Sequence, residues 1–270
     1  MPIRLIHVSD LHVGAHEERP IEPALRALVD HVSPRLILAT GDLTHRGRPE
    51  QHERAAAFLQ SLGPPVLAVP GNHDIPYTAP ARFTRPWVEF ERRWQTTEPV
   101  FSSDELHVVG LNSARPWRHQ SGGVRAAALA RAAGRLRAAP AAALRVVCLH
   151  HHLIGAPWRS RKRPVARRGH ILATLADAGA ELILAGHIHQ SAVSERREFE
   201  VGLPAERSVT IAIAPGLGQP RPSRHGEARG LHVIEADERE ISIETLVYAN
   251  DAFTSIAVRR YPRRAGAGSS

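Results

Sequence analysis

Cysteine and lysine are almost absent from the 270-residue sequence, which contains one of each, Cys148 and Lys162. A single cysteine excludes an intrachain disulfide framework and favours a reducing compartment. No apolar run approaches the roughly 20 residues that a membrane-spanning helix needs. The first residues, 1–8, also lack the apolar core and cleavage site of a signal peptide. We therefore expect a cytoplasmic, globular protein with no membrane span.

Because lysine is so rare, arginine carries the formal charge of +8, and the densest basic run is Arg159–Arg163 with Arg167 and Arg168 nearby. A basic chain attracts phosphate-bearing partners. A solvated surface is the ordinary explanation for such a run, and steering of anionic substrates and contact with acidic lipid are the alternatives. The seventeen histidines are more informative, because imidazole binds transition metals.

Short apolar runs alternate with helical patterns along most of the chain. Strands are predicted at Ile3–Val8, Leu36–Ala39, Val66–Val69, Leu106–Leu111, Leu144–Leu149 and Leu182–Ala185. Helices are predicted between them at Pro20–Val32, Pro49–Leu62, Ala79–Trp94, Val124–Leu136 and Val165–Ala178. This alternation indicates right-handed crossovers and largely parallel pairing. Four later strands, at Ala192–Ser194, Val209–Ala212, Leu231–Ile234 and Ile241–Val247, have no helices between them, and we expect hairpins that complete a second sheet.

Metal-binding residue types follow five of these strands, where open α/β sheets bind their ligands. They are Asp10 and His12, Asp42, Asn72 with His73 and Asp74, His150, and His187 with His189. Residues two apart on extended backbone project to the same side, so each closely spaced pair can converge. Seven of them (all but His73 and Asp74) supply carboxylate, amide and imidazole ligands, a mixed set that suits manganese, iron, zinc or cobalt. Seven ligands exceed one tetrahedral site and predict two metals that share a carboxylate, for which Asp42 is the natural candidate.

These motifs occur in a fixed order: Asp10-Leu11-His12, Gly41-Asp42, Gly71-Asn72-His73-Asp74, His150, and Gly186-His187-Ile188-His189. The order resembles that of the calcineurin-like metallophosphoesterases. Val8–His12, Gly41–Thr44 and Val69–Asp74 are most similar to the bacterial class III cyclic-nucleotide phosphodiesterases, with a looser match at Leu111–Arg115. The resemblance implies an α/β fold, a four-layer αββα sandwich of two mixed sheets flanked by helices. We expect one metallophosphoesterase domain over residues 1–261 and a disordered tail over residues 262–270.

The resemblance also implies a role for each residue. The first metal would be held by Asp10, His12, Asp42 and His189. The second metal would be held by Asp42, Asn72, His150 and His187. His73 would contact the phosphate and assist the leaving oxygen, and Asp74 would orient His73, which makes these two the catalytic candidates. Manganese and iron are the favoured metals, zinc and cobalt are alternatives, and the nucleophile would be a hydroxide that bridges the two metals.

Two further assignments concern the consecutive histidines 150–152 and the substrate contacts. Among the consecutive histidines 150–152, the family pattern selects His150 as the ligand, strand alternation leaves His152 as the alternative, and His151 would support the ligands without binding metal. Substrate contacts are expected from Asn72, His73, Arg115 and His119. The last two belong to a loop that follows a strand end, where binding residues concentrate.

The function that these residues favour is hydrolysis of a small phosphodiester, with 3′,5′-cyclic AMP as the first candidate. Alternatives are a phospholipid or sugar-nucleotide pyrophosphatase or phosphatase, and a DNA nuclease of the same superfamily, although 270 residues leave little room for the extra segments of the repair nucleases. The complete ligand set disfavours a non-catalytic module. The expected partner is a small phosphodiester rather than nucleic acid. Peripheral lipid contact stays open, and the resemblance implies a homodimer.

Overall fold

Two six-stranded mixed sheets form the centre of the computed structural model, which describes residues 2–15, 21–118, 120–154, 162–198, 200, 208–218 and 228–263. The first sheet contains β1 (Ile3–Val8), β2 (Leu36–Ala39), β3 (Val66–Ala68), β10 (Gly230–Ala236), β11 (Glu240–Ala249) and β12 (Ala252–Pro262). The second sheet contains β4 (Val100–Ser102), β5 (Leu106–Gly110), β6 (Leu144–Cys148), β7 (Leu182–Ala185), β8 (Ala192–Glu195) and β9 (Thr210–Ile213).

The strands that precede the predicted ligands are parallel to one another within each sheet. In the first sheet the order is β12-β11-β10-β1-β2-β3, with β1, β2 and β3 parallel and β10 antiparallel to β1. In the second sheet the order is β4-β5-β6-β7-β9-β8, with β5, β6, β7 and β9 parallel. Parallel strands end at the same edge of a sheet, so the loops that carry the ligands gather at one edge of each sheet.

Within the described residues, six α-helices flank the sheets. They are α1 (Glu22–Val32), α2 (Pro49–Gln60), α3 (Ala81–Thr84), α4 (Val88–Trp94), α5 (Ala126–Arg137) and α6 (Arg168–Asp177). Because successive side chains of a strand face opposite ways, β1 presents Leu5 to the core between the sheets and Ile6 to the core beneath α1. A third core packs α5 and α6 against the outer face of the second sheet. These three cores define an αββα arrangement, and the fold prediction is confirmed.

The prediction for the last strands was wrong in part. We expected them to complete the second sheet as antiparallel hairpins. Instead β10 pairs antiparallel with β1, with Ile6 opposite Val233, so β10, β11 and β12 extend the first sheet. In the second sheet β8 and β9 do form an antiparallel pair, but β9 lies parallel to β7. The apolar pattern of β10 fits the open edge of β1, and local sequence does not specify which edge a strand joins.

The helix predicted over Ala79–Trp94 is divided into α3 and α4. The break falls at Arg85, which has φ −142° and ψ 55°, immediately before Pro86. Proline lacks a backbone N–H and disfavours helical geometry in the residue before it, so the apolar spacing continues while the helix does not.

The predicted tail begins at Pro262, which is also the last residue of β12. The Arg263 guanidinium pairs with the carboxylate of Glu181 through Nε–Oε2 at 2.9 Å. Residues 264–270 of the predicted tail lie outside the described residues. Within the described ranges, no helix has the length and apolar character that crossing a membrane requires.

Candidate metal centre

The seven predicted ligands lie at the carboxyl ends of five strands, β1, β2 and β3 of the first sheet and β6 and β7 of the second. Six of them are buried, and His12 is partly buried. The buried members are Asp10, Asp42, Asn72, His150, His187 and His189. The two sheets therefore bring residues separated by up to 179 positions in the numbering, from Asp10 to His189, into one buried centre.

Five of these residues have left-handed backbone geometry, with φ between 50° and 76°, namely Asp10, His12, Asp42, His187 and His189. Positive φ is uncommon outside glycine and concentrates where the surrounding structure enforces it. Asp10 and His12 do converge, with His12 Nε2 3.7 Å from Asp10 Oδ1. The extended backbone that we expected to cause this convergence was wrong. Their strand ends at Val8, and a left-handed turn directs both side chains inward.

The first group contains Asp10, His12 and His189. Asp10 Oδ1 lies 3.1 Å from His189 Nε2 and 3.7 Å from His12 Nε2. The two imidazoles approach at 3.1 Å, Nε2 to Nε2. His12 Nε2 is also 3.8 Å from Asp42 Oδ2, which links this group to the second.

The second group contains Asp42, His150 and His187. His150 Nε2 lies 3.3 Å from Asp42 Oδ2 and 3.1 Å from His187 Nδ1. The other nitrogen of each ring donates to a backbone carbonyl, His150 Nδ1 to Thr40 at 2.7 Å and His187 Nε2 to Gln120 at 3.0 Å. A carbonyl only accepts, so in the neutral rings the two nitrogens that face each other both carry lone pairs. Such an arrangement suits a shared cation.

Each carboxylate binds one backbone N–H and leaves its other oxygen in the centre. Asp42 Oδ1 accepts from the His73 N–H at 2.8 Å, and Asp10 Oδ2 accepts from the His187 N–H at 2.8 Å. The remaining oxygens, Asp42 Oδ2 and Asp10 Oδ1, are buried and accept no hydrogen bond from a described residue, and the same holds for Asn72 Oδ1. Buried oxygens without donors are costly unless a cation is bound.

The spacing of these atoms also fits metal coordination. Two ligands bound to one ion at about 2.1 Å are about 3.0–3.4 Å apart in octahedral or tetrahedral geometry. The contacts His12–His189, Asp10–His189, His150–His187 and Asp42–His150 measure 3.1, 3.1, 3.1 and 3.3 Å. Among the described residues, four sets of side chains could each hold a metal ion, and they overlap in this centre. The sets are Asp10, His12 and His189; Asp10, Asp42 and His150; His150, His151 and His187; and His12, His45 and His73. The side chains present therefore fit metal ions.

The charges of the centre are mutually dependent. Burial would raise the pKa of Asp42, but the imidazoles of His150 and His73 outweigh it and hold that pKa well below its usual range. Burial likewise opposes ionisation of Asp10, and His189 and His12 lower its pKa well below the usual range. For His150, burial opposes the charged form, yet the carboxylate of Asp42 raises its pKa to about 9. The centre thus holds two ionised carboxylates and favours positive charge between them.

His73 lies at the edge of the first group and is held by a backbone carbonyl. Its Nδ1 donates to the His45 carbonyl at 2.7 Å, so its Nε2 is the nitrogen available to a ligand. The ring meets His12 edge-on with centroids 4.7 Å apart and stacks on His45 at 5.7 Å. The position of His45 directly after the Asp42 loop favours a place in the site, although the sequence predicts no specific role for it.

The prediction that Asp74 orients the His73 side chain was wrong. The Asp74 carboxylate accepts from the backbone N–H groups of Leu43, Thr44 and Gly71 at 3.2, 2.8 and 2.8 Å. It also accepts from the Thr44 hydroxyl at 3.0 Å. A carboxylate can satisfy several buried donors at once, so Asp74 fixes the Asp42 loop against the Gly71 turn.

Gly71 and Gly186 permit the close approach of these loops. A Cβ added to Gly71 would overlap the Asp42 carboxylate, and one added to Gly186 would overlap the Ser9 hydroxyl and crowd Asp10. The glycine in each motif is therefore required by the space beside a ligand.

The three consecutive histidines occupy different environments. His150 is the one that faces Asp42, and its choice as the metal ligand stays a prediction. His151 pairs with the Ser113 hydroxyl at 3.0 Å through Nδ1, and its ring centroid is 4.5 Å from that of His187. His152 is buried and stacks near His187 at 6.0 Å. The ammonium of Lys162 contacts the His187 backbone carbonyl, so the lone lysine of the chain borders this side of the centre.

The two residues proposed from the Arg115 loop have different outcomes. The Arg115 guanidinium is buried and donates to the carbonyls of Asn112 and Ala114 at 3.3 and 2.6 Å. Burial lowers the pKa of Arg115 to about 10. Arg115 therefore supports its own loop, and its contact with substrate stays a prediction. His119 lies outside the described residues, as do Arg159, Ser160 and Arg161 of the basic run.

A family model for calcineurin-like phosphoesterases matches residues 3–191 of the chain. This range contains every residue of the two groups. The chain belongs to the calcineurin-like phosphoesterase family. The family prediction made from the motifs is confirmed.

Among calcineurin-like phosphoesterases, the chain is similar to a probable cyclic nucleotide phosphodiesterase of Synechococcus, with 29% identity over 126 residues, 44% of this chain and 47% of the relative. It is 26% identical over 121 residues to a probable glycerophosphodiester phosphodiesterase, GpdQ, of Arcobacter nitrofigilis, covering 41% and 43%. The matches thus span less than half of each relative. A dimetal phosphatase from Danio rerio shares the fold with a TM-score of 0.67 at 13% identity, covering 98% of this chain and 100% of that chain.

Proposed function

We propose that this chain is a dinuclear, metal-dependent phosphodiesterase that hydrolyses a small phosphodiester. The observation that carries the proposal is the position of Asp42 Oδ2. This buried oxygen accepts no hydrogen bond from a described residue, and it lies 3.8 Å from His12 Nε2 and 3.3 Å from His150 Nε2. One carboxylate oxygen between two imidazole groups is the arrangement that two adjacent metals share.

The two groups, with the buried Asn72 Oδ1 that accepts no hydrogen bond from a described residue, support the ligand roles that the family resemblance implies. Asp10, His12, Asp42 and His189 would hold one metal. Asp42, Asn72, His150 and His187 would hold the other. The mixed nitrogen and oxygen set favours manganese or iron, with zinc and cobalt as alternatives. When bound, such metals supply Lewis acidity and activate the attacking water.

The protein itself supplies orientation and a proton. The carbonyls of Thr40, Gln120 and His45 each fix one imidazole, those of His150, His187 and His73. With Nδ1 committed to the His45 carbonyl, His73 can bind a phosphate oxygen through Nε2 or deliver a proton there to the leaving alcohol. Lys162 adds a positive charge beside the second group, where anionic substrate would approach.

A cyclic nucleotide such as 3′,5′-cyclic AMP is the first candidate substrate. The match to a probable cyclic nucleotide phosphodiesterase supports a diester, and the match to a probable glycerophosphodiester phosphodiesterase supports the same bond type with a different alcohol. Cyclic nucleotides and glycerophosphodiesters are both small phosphodiesters. The two matches therefore support diester hydrolysis and do not distinguish between these two substrates.

The test pairs metal analysis with hydrolysis of bis(4-nitrophenyl) phosphate and 4-nitrophenyl phosphate in the presence of manganese. We expect two metals per chain and a strong preference for the diester, followed by turnover of cyclic AMP in a panel with glycerophosphodiesters. Preference for the monoester would replace the proposal with a phosphatase. Absence of both metal and turnover would overturn it altogether.

A further inference from the structure

A cavity of about 470 Å³ is lined by residues that closely follow His45 and Asp74 in the chain. Its walls come from the loop that leads into α2, the turn after Asp74, and helices α3 and α4. Seven polar side chains line it, Arg46, Arg48, Tyr77, Thr78, Arg85, Glu89 and Arg92. The volume is within the range of small-ligand sites and exceeds what one phosphate group needs.

The residues of the cavity wall are joined to His45 and His73 by short stretches of chain and by a hydrogen bond. Arg46 directly follows His45, whose carbonyl holds the His73 imidazole. Gly47, the next residue, packs so closely against Ile75 and Pro76 that an added Cβ would overlap their backbone. The Thr44 hydroxyl accepts from the Gly47 N–H at 3.1 Å. The wall of the cavity and the ring of His73 are therefore positioned by the same two loops.

The cavity has an excess of positive charge. Four arginines face one glutamate, and Glu89 pairs with Arg92 at 2.8 Å. Arg48 lies 3.9 Å from Glu50, a weak and exposed pair. Helix α2 begins at Pro49 in the cavity wall, so the positive end of its dipole adds to the same field. Arg46 and Arg85 are exposed, and their guanidinium groups suit bidentate contact with phosphate.

The cavity also offers a planar apolar surface. The Tyr77 side chain is 57% exposed, and the Arg46 guanidinium lies over its ring at 5.4 Å from the centroid. Val88 is 41% exposed beside it. An exposed aromatic ring among arginines is the combination that holds a nucleotide by stacking and phosphate contact.

We propose that this cavity binds the leaving-group side of a diester whose alcohol is itself a phosphorylated nucleotide. This inference rests on the proposed function and names its substrate class, which is a short linear oligonucleotide with a 5′-phosphate. In the dinucleotide pApA, water would form a new bond to the internal phosphorus while the bond to the 3′ oxygen breaks. The 3′ oxygen takes a proton, through His73, and the products are two molecules of 5′-AMP. The terminal 5′-phosphate would contact Arg46 and Arg85.

The experiment compares kcat/KM for pApA and for ApA, which lacks only the terminal phosphate, with manganese present. We expect the wild-type protein to prefer pApA by at least about tenfold, since charge-assisted contacts are lost with ApA. The double variant Arg46→Ala, Arg85→Ala should bring the ratio close to one. Arg137→Ala, an exposed arginine on α5 at the second sheet, is the matched control and should keep the wild-type ratio.

The result separates the two proposals. Equal kcat/KM for pApA and ApA in a protein that hydrolyses bis(4-nitrophenyl) phosphate would overturn the cavity assignment and leave the phosphodiesterase standing. A preference for pApA that survives in the double variant would also overturn it. The double variant is accepted for comparison when its metal content and thermal midpoint match those of Arg137→Ala. Arg46→Gln, Arg85→Gln provides the second test of the ratio if the alanine variant fails that standard.

Discussion

His150 Nε2 and His187 Nδ1 lie 3.1 Å apart, although a backbone carbonyl accepts a hydrogen from the other nitrogen of each ring. When both rings are neutral, as metal binding requires, they direct lone pairs into the same space. Without a metal, the carboxylate of Asp42 raises the pKa of His150 to about 9, so that a proton occupies this space instead. Asp42 Oδ2, at 3.3 Å from His150, adds negative charge to the same space. A cation between these atoms removes the repulsion, and the ligand spacing is that of a metal ion.

Replacing His73 with Ala should slow diester hydrolysis by about 10²–10⁴-fold, the usual contribution of a positioned acid or base. Metal content should stay near the wild-type value, because the His73 ring is held by the His45 carbonyl and its backbone N–H, which the substitution keeps, is what binds Asp42. Metal analysis and steady-state kinetics check this together, with His31→Ala on the exposed face of α1 as the control. Loss of metal in His73→Ala would show that His73 is a ligand.

Replacing Asp74 with Ala should lower the free energy of unfolding by about 3 kcal/mol or more. The substitution leaves three buried backbone N–H groups without an acceptor, and each such group costs about 1–3 kcal/mol. Urea unfolding of the metal-free protein measures the change, with His73→Ala as the comparison. Equal stability of the two variants would contradict the assignment of Asp74 to loop support.

The sequence predicted the ligands of the site but not the contacts that hold their loops. The ligand types and their order predicted that Asp10, Asp42, His150 and the His187 loop would meet, because parallel strands end at one edge. The partners of Asp74 and the roles of His45 and Thr40 could not be predicted. They depend on left-handed turns, such as those at Asp10 and Asp42, whose geometry is set by contacts between loops distant in sequence.

Replacing Arg263 with Ala should destabilise the protein by about 3–5 kcal/mol, because it leaves a buried carboxylate unpaired. Arg263 binds Glu181 through two contacts, at 2.9 and 3.0 Å, and their side chains are 9% and 3% exposed. Arg4→Ala removes an exposed pair with Glu235 and should cost at most about 1 kcal/mol. Urea unfolding of both variants provides the comparison. Similar small losses would mean that the pair does not anchor the end of β12.

The stability of the protein should fall as the pH decreases from 7 to 5. Burial lowers the pKa of His232 from 6.5 to about 3, so below pH 6.5 the unfolded chain binds a proton that the folded chain does not. This group alone would cost about 2 kcal/mol at pH 5. Burial also lowers the pKa of His7, whose Nδ1 is 3.4 Å from His232 Nδ1, and adds a loss of the same sign.

The variant His232→Gln tests how much His232 contributes to this loss of stability, because glutamine can replace the hydrogen bond to Ser191 and does not titrate. Unfolding free energies of both proteins are measured in urea at pH 7 and pH 5. The variant should lose less stability over this interval than the wild-type protein. If the variant loses as much unfolding free energy between pH 7 and pH 5 as the wild-type protein does, His232 does not contribute to the pH dependence.

The fold followed the sequence most closely where an apolar run is continuous and bounded by turn residues. The predicted bounds of Ile3–Val8, Leu36–Ala39 and Leu182–Ala185 match β1, β2 and β7. Strand β12 was not predicted, since it is an edge strand with exposed residues such as Ile256 and Val258 and its pairing with β11 depends on a neighbour rather than on burial. The partner of β10 also depended on the packing of the whole sheet.

The most direct test of a shared dinuclear centre is the metal content of the Asp42→Ala variant, measured beside Asp30→Ala, which removes an exposed carboxylate on α1. Asp42 Oδ2 borders both imidazole groups, so we predict two metals per chain in the wild type and the control, and loss of both metals and of diester hydrolysis in Asp42→Ala. Retention of one metal with activity, or retention of two metals, would show that Asp42 does not bridge a dinuclear centre.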